Sequence, residues 1–190
     1  PMNMGQMEYD YNFAARKCGI HVADFKLLEG KYFASKRFDL ENGERLHVAT
    51  AGALLNESIR QPKSDYKVLL HLTGFLTQDP QEVNEMFRRM VFNILTDNKD
   101  DHVKNFSFIC RDGHWSLAPA YDLTLSNVGY NGEHATSVNN NGNPTLNDMI
   151  LVGGSIRINR GKALEMIRAV YDNCQDILSP KWKWVDWPDF

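Results

Sequence analysis

The sequence predicts an α+β fold, mainly helical, with short β-hairpins. Three observations predict it. Apolar residues recur at helical spacing over 66–76, 80–94 and 162–178. Two pairs of short apolar runs are separated by Gly-containing turns. The 190 residues are 43% hydrophobic, enough for one domain with a real core, which excludes wholesale disorder.

Residues 7–18 predict a short helix closed by Gly19. Runs 22–28 and 31–38 flank Glu29-Gly30 and predict a β-hairpin. Residues 39–63 have no periodicity and predict irregular chain with Gly43, Gly52 and Pro62. Ser64-Asp65 caps a helix over 66–76, whose Val68, Leu69, Leu72 and Phe75 share a face. The clearest helix start follows: Asp79 at the N-cap, Pro80 at the first helical position, Glu82 three residues after the cap. The wide stripe Val83, Met86, Phe87, Met90, Val91 and Ile94 makes that helix central, and it ends near Thr96-Asp97-Asn98. Strand 105–110 turns at 111–114 into 115–118, a second hairpin. Residues 127–148, rich in Asn and Gly, predict a long loop. The last helix spans 162–178, and a tail with Trp182, Trp184 and Trp187 follows, to dock on the body or meet a partner.

With 21 Lys+Arg against 24 Asp+Glu, the net charge is −3, which argues against a dedicated nucleic-acid binder. No apolar run reaches the ~18 residues of a membrane helix, and residues 1–10 lack the pattern of a signal peptide. Cys18, Cys110 and Cys174 are far apart with no CxxC pair, which reads as free thiols in a reducing compartment. A cytoplasmic protein is expected. Pro1 in place of an initiator Met points to a processed or excised piece.

The dense polar cluster is 97–105, DNKDDHVKN, in a loop between an apolar helix and an apolar hairpin. Seventeen residues after Asn105 comes Asp122, at the exit of that hairpin. Hairpin ends lie close together, so Asp100, Asn105 and Asp122 can converge. An amide and a carboxylate supply hard oxygens suited to Mg²⁺, and a further carboxylate can accept a proton from an attacking hydroxyl. That is the division of labour in phosphoryl transfer. His102 or Lys104 can offset phosphate charge. Taken singly, the features are blander: DNKDDHVKN as a solvated turn, Asp122 as a cap or turn residue. His102 beside Asp101 also fits a metal hydrolase, but His21, His47, His71, His114 and His134 form no ligand-spaced pair. Only the joint occurrence of loop, hairpin and second Asp favours phosphoryl transfer.

The stretches FNILTDNKDDHVKNFSFI and WSLAPAYDLTLS closely resemble the C-terminal part of HipA-type serine/threonine kinases, the toxins of bacterial toxin–antitoxin pairs. The Asp-x-His-x-x-Asn core is also similar to the catalytic loop of the phosphoinositide-kinase-like group. YFASKRFDLENGERLHV resembles the segment crossing from the N-lobe hinge, and GIHVADFKLL the strand before it. The resemblance implies a protein-kinase-like C-lobe with the N-lobe largely missing. Residues 1–40 would be a hinge-proximal remnant of helix plus hairpin, and 41–190 the kinase C-terminal domain. It implies Asp100 as catalytic base, Asn105 and Asp122 as Mg²⁺ ligands, and His102, Val103, Lys104 and Tyr121 beside an ATP whose adenine meets Lys36, Arg37 and Phe38. The family commonly has an acidic residue where Lys36 stands. No phosphate loop or phosphate-pairing lysine is found, so the implied alternative is a truncated, inactive kinase relic that binds a nucleotide or a partner. The implied partners are a protein substrate such as an aminoacyl-tRNA synthetase, a HipB-like DNA-binding antitoxin, and a separately encoded N-lobe chain.

Overall fold

The computed structural model describes residues 3–57 and 64–178. Pro62 and the Trp-rich tail lie outside these residues. Helix α1 (Met4–Lys17) begins three residues before the expected start, because Asn3 caps it by accepting a hydrogen bond from the Gln6 amide. Gly19, at φ 74°, ends it as expected. Strands β1 (Phe25–Leu28) and β2 (Tyr32–Ser35) form the first hairpin. Its turn residues Glu29 and Gly30 both take positive φ, and the Lys31 amide closes on the Leu28 carbonyl at 2.9 Å.

The segment expected to be irregular contains more structure than its pattern suggests. Strands β3 (Leu40–Glu41) and β4 (Glu44–Arg45) close a minimal hairpin over Asn42-Gly43. Strand β5 (His47–Thr50) becomes the edge of a three-stranded antiparallel sheet, followed by one turn of helix, α2 (Ala51–Leu54). The order is β5-β6-β7, with β6 at Ser107–Arg111 and β7 at His114–Leu117.

Helix α3 (Tyr66–Thr77) is capped by Asp65, and α4 (Pro80–Leu95) by Asp79, whose carboxylate accepts from the Gln81 amide at 2.8 Å. Glu82 does not complete a capping box. Its carboxylate reaches across to accept from the Leu117 amide at 3.1 Å and ties α4 to β7. α4 is central as expected: Met86, Phe87, Met90, Val91 and Phe92 have no exposed surface, and each such side chain contributes roughly 1.5–3 kcal/mol by burial.

The 127–148 region is not loop throughout. Helix α5 (Leu146–Ser155) starts inside it, on a capping box between Thr145 and Asp148. α5 lies close to α4 because Gly153 has no side chain; a Cβ there would sit 3.1 Å from the Phe87 ring. Helix α6 (Arg160–Leu178) packs between α1, α4 and α5, burying Ala163, Ile167, Val170 and Cys174. Among the described residues, no helix is long and apolar enough to cross a membrane.

Candidate active site

The polar loop starts where α4 stops. Asp97 takes a left-handed φ of 53° and turns the chain, while the Asn98 amide still bonds back to the Asn93 carbonyl at 3.0 Å. The loop is then strapped to the 126–136 segment. The Lys99 amide donates to the Ser126 carbonyl, the Ala135 amide to the Lys99 carbonyl, and Lys99 Nζ to the Gly132 carbonyl, each at 3.0 Å.

Asp101, not its neighbour Asp100, is the anchor. It is 1% exposed and accepts from Tyr66 Oη (2.8 Å), from the ring of His134 (2.9 Å) and from the Thr136 amide (3.2 Å). Its backbone carbonyl accepts from Thr136 Oγ1 at 2.6 Å. Burial first, then the Asp101 carboxylate, pushes the Tyr66 phenol well above its ordinary range, so Tyr66 is a fixed donor. With Asp101 pinned inward, the adjoining Asp100 is exposed.

A 3₁₀ turn at Val103–Asn105 follows. Val103 is buried and touches the site of Gly52, which anchors the turn on α2. Asn105 folds back, its Nδ2 donating to the Asp100 carbonyl at 2.8 Å and its amide to the His102 carbonyl at 2.8 Å. His102 Nε2 stands 3.9 Å from an Asp100 carboxylate oxygen. Asp100, His102 and Asn105 therefore form one local unit.

Asp122 arrives from the other side. After β7 the chain is held by the Ala118 amide on the Ser107 carbonyl and the Ala120 amide on the His21 carbonyl. Tyr121 Oη donates to the Lys104 carbonyl at 2.6 Å and shares a 2.6 Å hydrogen bond with Ser107, which joins the two halves of the site. Burial raises the Tyr121 phenol above its usual value; Ser107 opposes this and Asp122 adds to it. Asp122 itself takes a left-handed φ of 56° and is exposed. Asn98, Asp101, Asn105, Tyr121 and Asp122 are all walls of one narrow pocket.

The expected adenine-contacting residues divide. Phe38 stacks on Tyr121, ring centres 5.5 Å apart, and so reaches the site. Lys36 and Arg37 line the neighbouring cleft, beside Asp24, Glu41 and Glu82. Arg37 pairs with Asp39, and the Lys36 amide donates to the Asp24 carbonyl at 2.7 Å.

Some site residues escape sequence reading, Asp101 and Glu8 among them. Asp101 looks like any member of the polar run until Tyr66, His134 and Thr136 are placed around it. Glu8 on α1 comes close enough to Asp122 that its carboxyl is raised, by burial first and then by the Asp122 charge; no local pattern links residues so distant in sequence.

The donor set fits a hard divalent cation. Asn105 spends Nδ2 on Asp100 and leaves Oδ1, Asp122 supplies a carboxylate, and Asn98 Oδ1 is buried without a partner. Among the described residues no three of His, Cys, Asp and Glu cluster as a self-sufficient metal site. A cation here therefore needs water or a ligand's own oxygens to complete its shell.

A family model described as the HipA-like C-terminal domain matches residues 2–178. Among curated proteins, "Putative kinase Y4dM" of Sinorhizobium fredii is 34% identical over 116 residues, 59% of this chain and 28% of that protein. A "Putative kinase" of Haemophilus influenzae is 40% identical over 57 residues, 30% of this chain and 16% of that protein. The match thus spans less than a third of either relative. Among solved structures, HipA of Shewanella oneidensis, in complex with HipB and its operator DNA, has a TM-score of 0.76 at 18% identity, covering 93% of this chain and 48% of that one. The Helicobacter pylori proinflammatory kinase CtkA has a TM-score of 0.55 at 14% identity, covering 94% and 85%. At these identities the structural likeness speaks for the fold alone. The family match runs over nearly the whole chain, on a kinase-like fold, and the chain belongs to the HipA-like C-terminal domain family.

Proposed function

We propose that the chain is the C-terminal catalytic part of a serine/threonine protein kinase that transfers the γ-phosphate of ATP to a protein hydroxyl. The observation that carries this reading is the convergence of Asn105 and Asp122 on one pocket, with Asp100 fastened beside it through the Asn105 Nδ2 hydrogen bond. In this reading Asp100, exposed and acceptor-only when ionised, takes the proton from the substrate hydroxyl. The hydroxyl oxygen bonds to the γ-phosphorus as the bond to the ADP oxygen breaks. Asn105 and Asp122 hold Mg²⁺, which when bound neutralises charge on the phosphates. His102, Val103 and Lys104 flank the phosphates, and Phe38 with Lys36 and Arg37 faces the adenine. Tyr121 fixes the metal aspartate relative to the loop.

The wider biology is proposed on the family's likeness. The chain acts as a toxin component in the cytoplasm, with a HipB-like antitoxin as partner, in line with the solved HipA, HipB and operator DNA complex. Its substrate is a protein, an aminoacyl-tRNA synthetase being the family's precedent, and a nucleotide-covering N-lobe is supplied from upstream or by a separate chain.

The test uses labelled ATP and Mg²⁺ with the chain alone and with any upstream-encoded lobe. Label transfer to protein, abolished by Asp100→Ala, is expected. Nucleotide binding with no transfer in either arrangement overturns the kinase reading and leaves a non-catalytic binding module.

A further inference from the structure

One polar side chain in the wall of the pocket has no role in the reading above. Asn98 is 3% exposed and forms part of the pocket wall with Asn105 and Asp122, yet its Oδ1 has no hydrogen-bond partner. Buried acceptors are nearly always paired, so an orphan on a residue that lines the same pocket as two candidate cation ligands points to a donor that comes with a ligand.

The orientation of that amide follows from the network behind it. The Asp101 carboxylate can only accept, so Tyr66 Oη donates to it at 2.8 Å. The Tyr66 oxygen then has only lone pairs left, and Asn93 turns Nδ2 toward it at 3.0 Å. Asn93 Oδ1 is thereby presented to Asn98, which must answer with Nδ2, again at 3.0 Å. The Asn98 Oδ1 is left over as an acceptor. One carboxylate held by His134 and Thr136 thus fixes, through Tyr66 and Asn93, the sign of the group at the far end.

We propose that Asn98 is a third cation-binding residue of this site, its Oδ1 accepting a hydrogen bond from a water bound to the divalent cation that Asn105 and Asp122 hold. The inference rests on the metal roles proposed above for Asn105 and Asp122. It is reasonable for Mg²⁺ because this ion gives up its waters reluctantly and is commonly held by few protein ligands. A side-chain carbonyl that orients such a water contributes without displacing it.

Two measurements on the full natural chain with ADP test it. First, Mn²⁺ affinity is read from the free-ion electron paramagnetic resonance signal for wild type and Asn98→Ala, with circular dichroism as the fold control. A fivefold or greater loss of affinity in a folded variant is expected. Unchanged affinity overturns the proposal. Second, Mg²⁺ is titrated into the unmutated chain while the Asn98 and Asn105 side-chain amides are followed by nuclear magnetic resonance, which needs no variant to fold. Both amides are expected to shift and to saturate together. A shift at Asn105 with none at Asn98 overturns this proposal and leaves the metal site standing. No shift at either, with no Mn²⁺ bound by the wild type, removes the metal site itself.

Discussion

The phenol of Tyr66 donates to the carboxylate of Asp101 at 2.8 Å, between residues 35 apart in sequence and both almost wholly buried. This contact fastens the polar loop to α3, and the other Asp101 partners fasten it to the 134–136 segment. Asp101 thereby does for the loop what a core side chain does for a helix: it fixes which neighbour points inward and which, Asp100, points out.

Tyr66→Phe is accordingly expected to cost about 1–3 kcal/mol, because it strips one acceptor site of Asp101 of its donor and leaves Asn93 Nδ2 without its acceptor. Denaturant unfolding measures the loss. Native-state hydrogen exchange locates it, with the Thr136 amide, bound to the same carboxylate, expected to exchange faster. A Phe variant as stable as wild type, with Thr136 still protected, would sink this account of the loop.

The Glu85–Arg89 pair holds α4 against the loop after α1 and the chain just beyond β7. Arg89 is 4% exposed and donates to Glu85 at 2.9 Å and to the Ala118 carbonyl at 2.9 Å, while the His21 amide donates to Glu85. Burial pushes the Glu85 carboxyl up, but Arg89, His21 and Arg88 outweigh it and hold the group below its ordinary 4.5. A carboxyl lowered in the folded state contributes stability that is complete above its unfolded value and is lost as pH falls through the folded one. Unfolding free energy is therefore expected to drop as pH falls below about 4.5, and Glu85→Ala removes that part of the slope. At neutral pH the same change costs about 3–5 kcal/mol, since the Arg89 charge stays buried without its partner. Urea titrations at pH 7 and across the acid range decide both points.

Asp148 carries a second acid-sensitive contribution, at the start of α5. Burial raises its carboxyl, but hydrogen bonds from Asn139, Asn141, and the amide and hydroxyl of Thr145 together outweigh it and lower the group from 3.8 to about 2. The same sign applies: the cap is complete above about pH 4 and disappears as pH falls toward about 2. Asp148→Ala is expected to cost roughly 1 kcal/mol at neutral pH and to free the 139–145 segment. Melting temperatures of wild type and variant that run parallel through the acid range would count against it.

The helices that could be read from the sequence were those whose own period is long enough to speak, and the hairpins were those with a Gly turn between two apolar runs. α4 carries its stripe over four turns with a Pro just inside a capping Asp, and α3 and α6 carry theirs over three or more. α5 was hidden because its Gly153-Gly154 pair and the Asn-rich approach both read as loop, although the Thr145–Asp148 spacing and the run Met149–Val152 were a usable start signal. β5 has no hairpin turn to a partner near it in sequence; it is a strand because β6, far later in the chain, lies beside it. The site divides the same way. Asp100, His102, Asn105 and Asp122 were legible as types at a spacing, and the structure brings Asn105 and Asp122 to one pocket. Asp101 and Asn98 were not, since their roles consist of partners 5 to 35 residues away.

The proposed roles of Asp100 and Asp122 differ enough to be separated by one pair of variants. Asp122 is a wall of the pocket, where the proposed cation would need an oxygen ligand; Asp100 is exposed, and among the described residues its carbonyl is held by Asn105 while its carboxylate stands 3.9 Å from His102. Removing a ligand weakens binding before any chemistry occurs, whereas removing a general base leaves the ground state intact and slows the step. Asp122→Ala is expected to weaken Mg-nucleotide binding by about tenfold or more, on the scale of a lost charged ligand. Asp100→Ala should leave that binding within a factor of about two while lowering phosphoryl transfer by roughly 10²–10⁴. Calorimetry of Mg-ADP binding beside single-turnover transfer reads both quantities on the same samples. Equal losses of nucleotide affinity in the two variants would mean that both carboxylates serve the metal, and the assignment of Asp100 as base would fall.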